Sequence, residues 1–255
     1  MKKLLFMTLI SLPIFLSAYD TEMINMGTPS SFDAGEMSLQ INHKFLGEVN
    51  NKDSDSKTGM EQGAMVDLHL KGVVFDHIML QSSYNPFYKE KTIGGSYNLL
   101  LPSIFLKASA GGNYFVYEKS DLKEKRKNGF YFLNLQSMPI LERVSAAASG
   151  GYDGYNKHFG TAFGLYITIF ENFHLLGEYF PQIDSNSSNK NIGKKDYFAA
   201  GIKIDTWGHH FIFSLGNSYD INDRHLMLGA DNKKLYLGIK IERKIDIFNY
   251  MGGRK

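Results

Sequence analysis

From residue 36 onward the chain alternates with a period of two. In the segment 36–46, Met37, Leu39, Ile41 and Phe45 fall on one face and Ser38, Gln40, Asn42 and Lys44 on the other, with His43 alone interrupting the apolar side. Ala64, Val66, Leu68 and Leu70 alternate with Met65, Asp67, His69 and Lys71. Phe159, Phe163, Leu165, Ile167 and Ile169 alternate with small or polar residues, as do Leu235, Leu237, Ile239 and Ile241. Successive side chains of a strand point to opposite faces, so each stretch reads as a strand with one apolar face. No segment past the N-terminal stretch repeats at i, i+3, i+4, i+7, and the chain is expected to be all-β. It contains no cysteine, which excludes a disulfide scaffold, a thiol nucleophile and a thiolate zinc site.

Extending the pattern gives about twelve strands, over 36–46, 62–75, 78–85, 88–101, 104–117, 128–138, 144–152, 159–170, 173–180, 195–206, 209–218 and 234–244. Tight turns at Asp76-His77, Pro102-Ser103, Glu171-Asn172 and Trp207-Gly208, with a short one over 139–143, alternate with longer polar links. These links cover 47–61, 118–127, 181–194 and 219–233, with shorter ones near Pro86 and Asp153. Hairpins trimmed at one end and elaborated at the other are the rhythm of an up-and-down barrel of the outer-membrane type. The expected fold is a single closed antiparallel transmembrane β-barrel over 36–244, after a lead segment 19–35 and before a tail 245–255. The rival is an exported soluble barrel or sandwich, whose loops would not segregate by length so cleanly.

The two faces receive opposite assignments in such a barrel. Leu68, Leu70, Phe163, Leu165, Ile167, Leu237, Ile239 and Ile241 are expected to face lipid. Lys44, Asp67, His69, Lys71, Lys107, Glu178, Lys203, Asp205, Lys240 and Glu242 are expected to face the lumen, where opposite charges can meet. Tyr117, Phe130, Tyr179, Tyr197 and Trp207 flank the links and are expected to form the aromatic girdle at the interfaces.

Residues 1–18 read as a cleavable signal peptide: Met1-Lys2-Lys3, an apolar stretch from Leu4 to Leu16, and Ser17-Ala18 before Tyr19. Its removal takes Lys+Arg from 28 to 26, equal to Asp+Glu at 26. A neutral mature chain lacks the basic excess that a nucleic-acid partner requires. The partners expected are outer-membrane lipid, lipopolysaccharide and the insertion machinery of that membrane; the mixed-charge link 118–127 reads first as a solvated hairpin end, with lipopolysaccharide contact as its functional alternative. The expected location is the bacterial outer membrane.

Several ordered segments strengthen this expectation: Ile24–Thr28, Gly35–Phe45, Leu176–Phe180, Gly208–Phe211 with Asn217-Ser218, and Leu237–Arg243. Through them the chain resembles an uncharacterised family of exported bacterial β-barrel proteins catalogued as a domain of unknown function. The resemblance implies a barrel at the outer membrane and brings no activity, so His43, His209, Asn217 and Arg243 receive no role from it. One departure is the C-terminus. Outer-membrane barrels often end in an aromatic residue, whereas this chain continues past Phe248 and Tyr250 to Lys255.

No catalytic residue, metal ligand or cofactor is assigned. His209 and His210 are strand neighbours on opposite faces and cannot share a metal without distortion. Asp67 and His69 share a face but lack an identifiable third ligand. None of the eight histidines is followed two residues later by serine, and His210 lies ~13 Å along the strand from Ser214 at ~3.3 Å per residue, which disfavours a lipid hydrolase. Asp53 and Asp55 lack the glycine and terminal glutamate of a calcium loop. The paired glycines at 94, 111 and 150 lack the lysine spacing of a phosphate loop and read as bends or close backbone approaches. The functional expectation is a non-enzymatic outer-membrane barrel, either a narrow pore for small solutes or a structural element of the envelope. Adhesion through the long loops and lipid modification are the alternatives.

Overall fold

The computed structural model describes residues 23–30, 32–50, 57–118 and 126–246. The expected signal peptide 1–18, the start of the lead, the centres of the links at 51–56 and 119–125, and residues 247–255 of the expected tail lie outside them, while Ile245 and Asp246 complete the last strand. Twelve strands follow in order: β1 (Glu36–Phe45), β2 (Ala64–Phe75), β3 (Ile78–Asn85), β4 (Glu90–Leu101), β5 (Leu106–Tyr117), β6 (Arg126–Ser137), β7 (Val144–Asp153), β8 (His158–Phe170), β9 (Phe173–Phe180), β10 (Tyr197–Thr206), β11 (His209–Gly216) and β12 (Tyr236–Asp246). Each is antiparallel to its chain neighbours, and β1 pairs with β12 from Glu36 opposite Asp246 to Lys44 opposite Gly238. The sheet is therefore a closed up-and-down barrel. Closure leaves no edge of unpaired N–H and C=O groups, the condition for a sheet surrounded by hydrocarbon. Every strand starts and ends within two residues of its sequence-based limits.

The alternation resolves into two walls. On β1 and β2, Ser38, Gln40, Lys44, Asp67 and Lys71 are buried inside, while Leu39, Leu68 and Leu70 are exposed outside. Phe163 and Leu165 on β8 are exposed on the outer face. Ile167, Leu237, Ile239 and Ile241 have the same outward parity and are half-buried by their neighbours. Rings crown the outer face at both rims. Phe75, Phe105, Phe170 and Trp207, the last 96% exposed, surround the short-turn rim, and Tyr131, Tyr152, Phe159, Tyr179 and Phe198 stand toward the long-loop rim.

Three of the five expected girdle residues belong elsewhere. Tyr117, Phe130 and Tyr197 are fully buried inside the barrel. Each has the inward parity of its strand, shared with Ser109, Asn134 and Lys203 respectively. Only Tyr179 and Trp207 of that set lie on the exterior.

What the inward rings surround is the second departure from expectation. The lumen is occupied by two segments of the chain itself. Residues of the lead, Met23, Ile24, Met26 and Phe32, are buried within the barrel. The β11–β12 connection, expected as an external link, dips inside as well and forms a one-turn helix, α1 (Asp223–Leu226), with Leu226 and Met227 buried. The main apolar cluster of the protein is thus inside the barrel, where these two inserts meet Phe115, Tyr117, Phe130, Tyr166, Phe180 and Tyr197. Close approach requires glycine at Gly160 on β8, and at Gly164 the absent side chain makes room for a methionine tip. A Cβ at Gly160 would sit 2.4 Å from Met227 Cβ, and one at Gly164 would sit 2.4 Å from Met23 Cε.

Candidate functional site: the plugged lumen

The β11–β12 insert is fastened near the long-loop rim by buried charge. Asn222 caps α1, its side-chain oxygen accepting from the Arg224 backbone N–H at 3.0 Å. That turn aims Arg224 across the lumen. Its Nη2 donates to both carboxylate oxygens of Glu90 on β4, at 2.9 and 3.0 Å, and to the Tyr117 hydroxyl. Its Nη1 donates to Asp153 Oδ2 on β7 at 3.0 Å. The guanidinium carbon also lies 3.8 Å from the centre of the Phe115 ring, within reach of a cation–π attraction. One arginine therefore ties the insert to two distant parts of the wall.

His225 completes the fastening. Its Nε2 is 3.2 Å from Glu90 Oε2 and its Nδ1 is 3.4 Å from Asp220 Oδ1. Tyr88 donates to that same Asp220 oxygen at 2.8 Å and packs edge-on against the imidazole. Burial disfavours a charged ring, and Arg224 Nη2, 2.7 Å from Nε2, opposes it further. Tyr117, Glu90 and Asp220 outweigh both and hold the His225 pKa well above its ordinary value. Asp223 is pushed up to about 6 by burial, although the Arg224 backbone N–H and charge pull the other way.

The lead is held more lightly. Glu178 on β9 accepts from the backbone N–H groups of Asn25 and Met26 through one oxygen, at 2.7 and 2.8 Å. Asn25 also donates from its amide to the Tyr197 hydroxyl at 2.6 Å, and Ser30 N donates to Asn98 at 3.0 Å. Lys240 Nζ donates to the Met23 carbonyl at 3.3 Å. Among these contacts there is no ion pair. The lead packs toward the small inner faces of β8 and β10, at Gly164 and Gly201. A polar cavity of about 130 Å³ remains between it and the β1–β5 wall.

The residues expected in the lumen all have inward parity, and they sort into separate groups. Lys71 Nζ is 3.7 Å from Glu242 Oε1, which also accepts from Gln40. Lys44 lies 5.8 Å from the centre of the Tyr197 ring. Asp67, His69, Lys71 and Lys240 line the cavity, and Lys107 stands on the inward side of β5 near the short turns. Toward that same rim Asp205 joins β9, β10 and β11, within 3.1 Å of His174 Nε2, 2.6 Å of His210 Nδ1 and 3.5 Å of Lys203 Nζ. His209 faces outward opposite Arg243 and Thr206, apart from His210. His43, also outward, is opposite Val66 and Ile239, so neither outer-face strand histidine has a serine across the ladder.

Sequence reasoning missed Glu90, Asp153, Asp220, Arg224 and His225. A signal for them existed. The inward positions of β7, β8 and β10 are small: Ala147, Ser149 and Gly151; Gly160, Ala162 and Gly164; Ala199 and Gly201. A wall without side-chain volume leaves room for something else inside.

No curated protein matches the sequence significantly. Among solved structures the fold is similar to the NanC porin at TM-score 0.52 and 7% identity, over 81% of this chain and 100% of that one. It is also similar to the KdgM porin, solved in complex with disordered oligogalacturonate, at TM-score 0.51 and 7% identity, over 81% and 98% of the two chains. The likeness is one of fold. Residues 134–244, from the middle of β6 to within two residues of the end of β12, match the family model described as a membrane bound beta barrel domain (DUF5777), in keeping with the closed, outwardly apolar barrel.

Proposed function

We propose that this protein is a non-enzymatic barrel of the bacterial outer membrane and forms a narrow pore for small polar solutes, closed in this conformation by its own two inserts. The observation that carries the reading is the unequal fastening of those inserts around a polar cavity. The β11–β12 insert is pinned by a buried arginine and two carboxylates, whereas the contacts described for the lead are hydrogen bonds and apolar packing. Withdrawal of the lead would join the cavity to the short-turn rim without breaking a buried ion pair. The fold shared with two porins supports the same reading, as does the exposed apolar exterior, which suits acyl chains. Mixed charges along the wall argue against strong ion selectivity of the pore as a whole. The filled lumen also favours a second reading, a structural barrel that never conducts.

Planar-bilayer recording tests both. Wild-type protein is expected to show mostly closed traces with brief openings, and a variant lacking the lead is expected to conduct continuously. Silence from both would leave the structural barrel.

A further inference from the structure

The cavity is enclosed by the wall, the lead and the β11–β12 insert, and each of the three turns polar groups into it. The wall contributes Ser83 on β3 and Asn113 on β5. Ser83 lies between His69 and Thr92 in its row of the ladder, and in the next inward row Gly94 separates Gln81 from Asn113. Facing positions of adjoining strands are ~5 Å apart, so these groups converge on one space. The absent side chain at Gly94 lets Gln81 Nε2 reach across to Asn113 Oδ1 at 2.6 Å, and a Cβ there would collide with that oxygen. The lead adds Thr28, and the insert adds Asn222 and Asp223.

The open groups are of both kinds. The Ser83 and Thr28 hydroxyls have no partner among the described residues. Asn113 and Asn222 spend their side-chain oxygens on Gln81 and on the Arg224 backbone N–H, which leaves their amide hydrogens to give. Asp223 accepts that same N–H through Oδ1 and keeps Oδ2 to accept. All five are half-buried rather than sealed. Charge on the lining cancels, Asp67 and Asp223 against Lys71 and Lys240. Both lysines are engaged, Lys71 3.7 Å from Glu242 and Lys240 on the Met23 carbonyl. A charged solute would meet both signs in equal number there.

We infer that the cavity is a binding site for one neutral monosaccharide. A hydroxyl carries one donor and two acceptor lone pairs, so a ring of hydroxyls pairs with hydroxyl, amide and carboxylate alike and adds no charge. The C–H faces of such a ring suit Met79, Ile221 and Phe132 on the same lining. At ~10–15 Å³ per water-sized atom, 130 Å³ holds about 9–13 of them, roughly the heavy atoms of a pentose or hexose and about half those of a disaccharide. The inference rests on the pore reading in that it names a solute class for it, but binding itself does not require conduction.

The test is isothermal titration calorimetry on the full-length barrel refolded in detergent. The probes are glucose and galactose, each beside its amine (glucosamine, galactosamine), its uronate (glucuronate, galacturonate) and a disaccharide (maltose, lactose). At least one of the two hexoses is expected to bind at one site per chain, at least fivefold more tightly than its own charged derivatives and its disaccharide. Ser83→Met, which places a side chain in the cavity, is expected to abolish binding. Thr28→Val, which removes a hydroxyl at nearly constant shape, is expected to weaken it at least threefold. Both variants are expected to keep the compact unheated electrophoretic mobility, and if one fails to close as a barrel the other carries the comparison. No binding of either hexose by wild type, undiminished binding by a closed variant, or a charged derivative or disaccharide bound as tightly as its hexose would each overturn the inference. Conductance is read separately. A silent barrel that binds hexose overturns only the pore, and a conducting barrel that does not bind it overturns only the site.

Discussion

Arg224 on α1 grips Glu90 on β4 through both carboxylate oxygens, at 2.9 and 3.0 Å, with both side chains buried. Removing one partner of such a pair strands the other in a poorly solvated site, at a cost of about 3–5 kcal/mol. Arg224→Ala is therefore expected to loosen the β11–β12 insert, leaving Asp153 without its cation and Glu90 with His225 alone. The wall ladders do not depend on it, so the variant should retain the compact unheated mobility of a closed barrel. Limited proteolysis is expected to cut between residues 219 and 233 much faster than in wild type.

Glu178→Ala removes the acceptor of two backbone N–H groups of the lead. Hydrogen bonds to a charged group contribute about 1.5–3 kcal/mol each, and a released lead regains hydration that offsets part of the loss. Because the chain has no cysteine, Met26→Cys supplies a single thiol at a buried position. That thiol is expected to resist a water-soluble maleimide in the wild-type background and to react at least tenfold faster with Glu178→Ala. Equal rates would mean that the lead is held by packing alone.

The outer face is tested by charge. Ile241 lies near the middle of β12, paired with Ile41 on one side and Phe211 on the other. Ile241→Lys should cost ~2–4 kcal/mol in refolding from lipid vesicles, whereas Leu237→Lys, at the second residue of the strand, should cost ~0–1 kcal/mol. A reversed order would place the middle of the apolar band near the long-loop rim.

Alkaline pH should loosen the β11–β12 insert. His225 has its pKa raised in the folded state, so its contribution is complete below the unfolded value of about 6.5 and is lost as pH climbs through the raised value. Asp223 acts in the same direction over a lower range. Its value of about 6 exceeds the ordinary 3.8, so the folded state favours the neutral acid and loses that advantage as pH rises between them. Single-channel open time is expected to lengthen from neutral to alkaline pH, and His225→Gln should flatten that limb.

The barrel was legible because period two needs only a residue's own side chain. Leu68 and Asp67 declare opposite faces whatever surrounds them, and Pro102-Ser103 or Trp207-Gly208 declare a turn from two residues. The contents of the lumen were not legible in this way. Tyr117 beside a link looks the same whether it anchors in headgroups or covers an insert, and only its parity with Ser109 separates the two. Arg224 and Glu90 are 134 positions apart, and no local pattern relates them. Parity carried across strands, together with the missing volume at Gly151, Gly160 and Gly201, was the readable trace of a filled interior.

Both inserts are continuous with the two strands whose pairing shuts the cylinder. The lead runs into β1 and the α1 connection runs into β12, while β1 and β12 meet each other from Glu36–Asp246 to Lys44–Gly238. Unzipping that single ladder would leave the two occupants hanging from opposite banks of one gap. The one ladder that completes the wall is therefore also the joint from which both fillings are suspended.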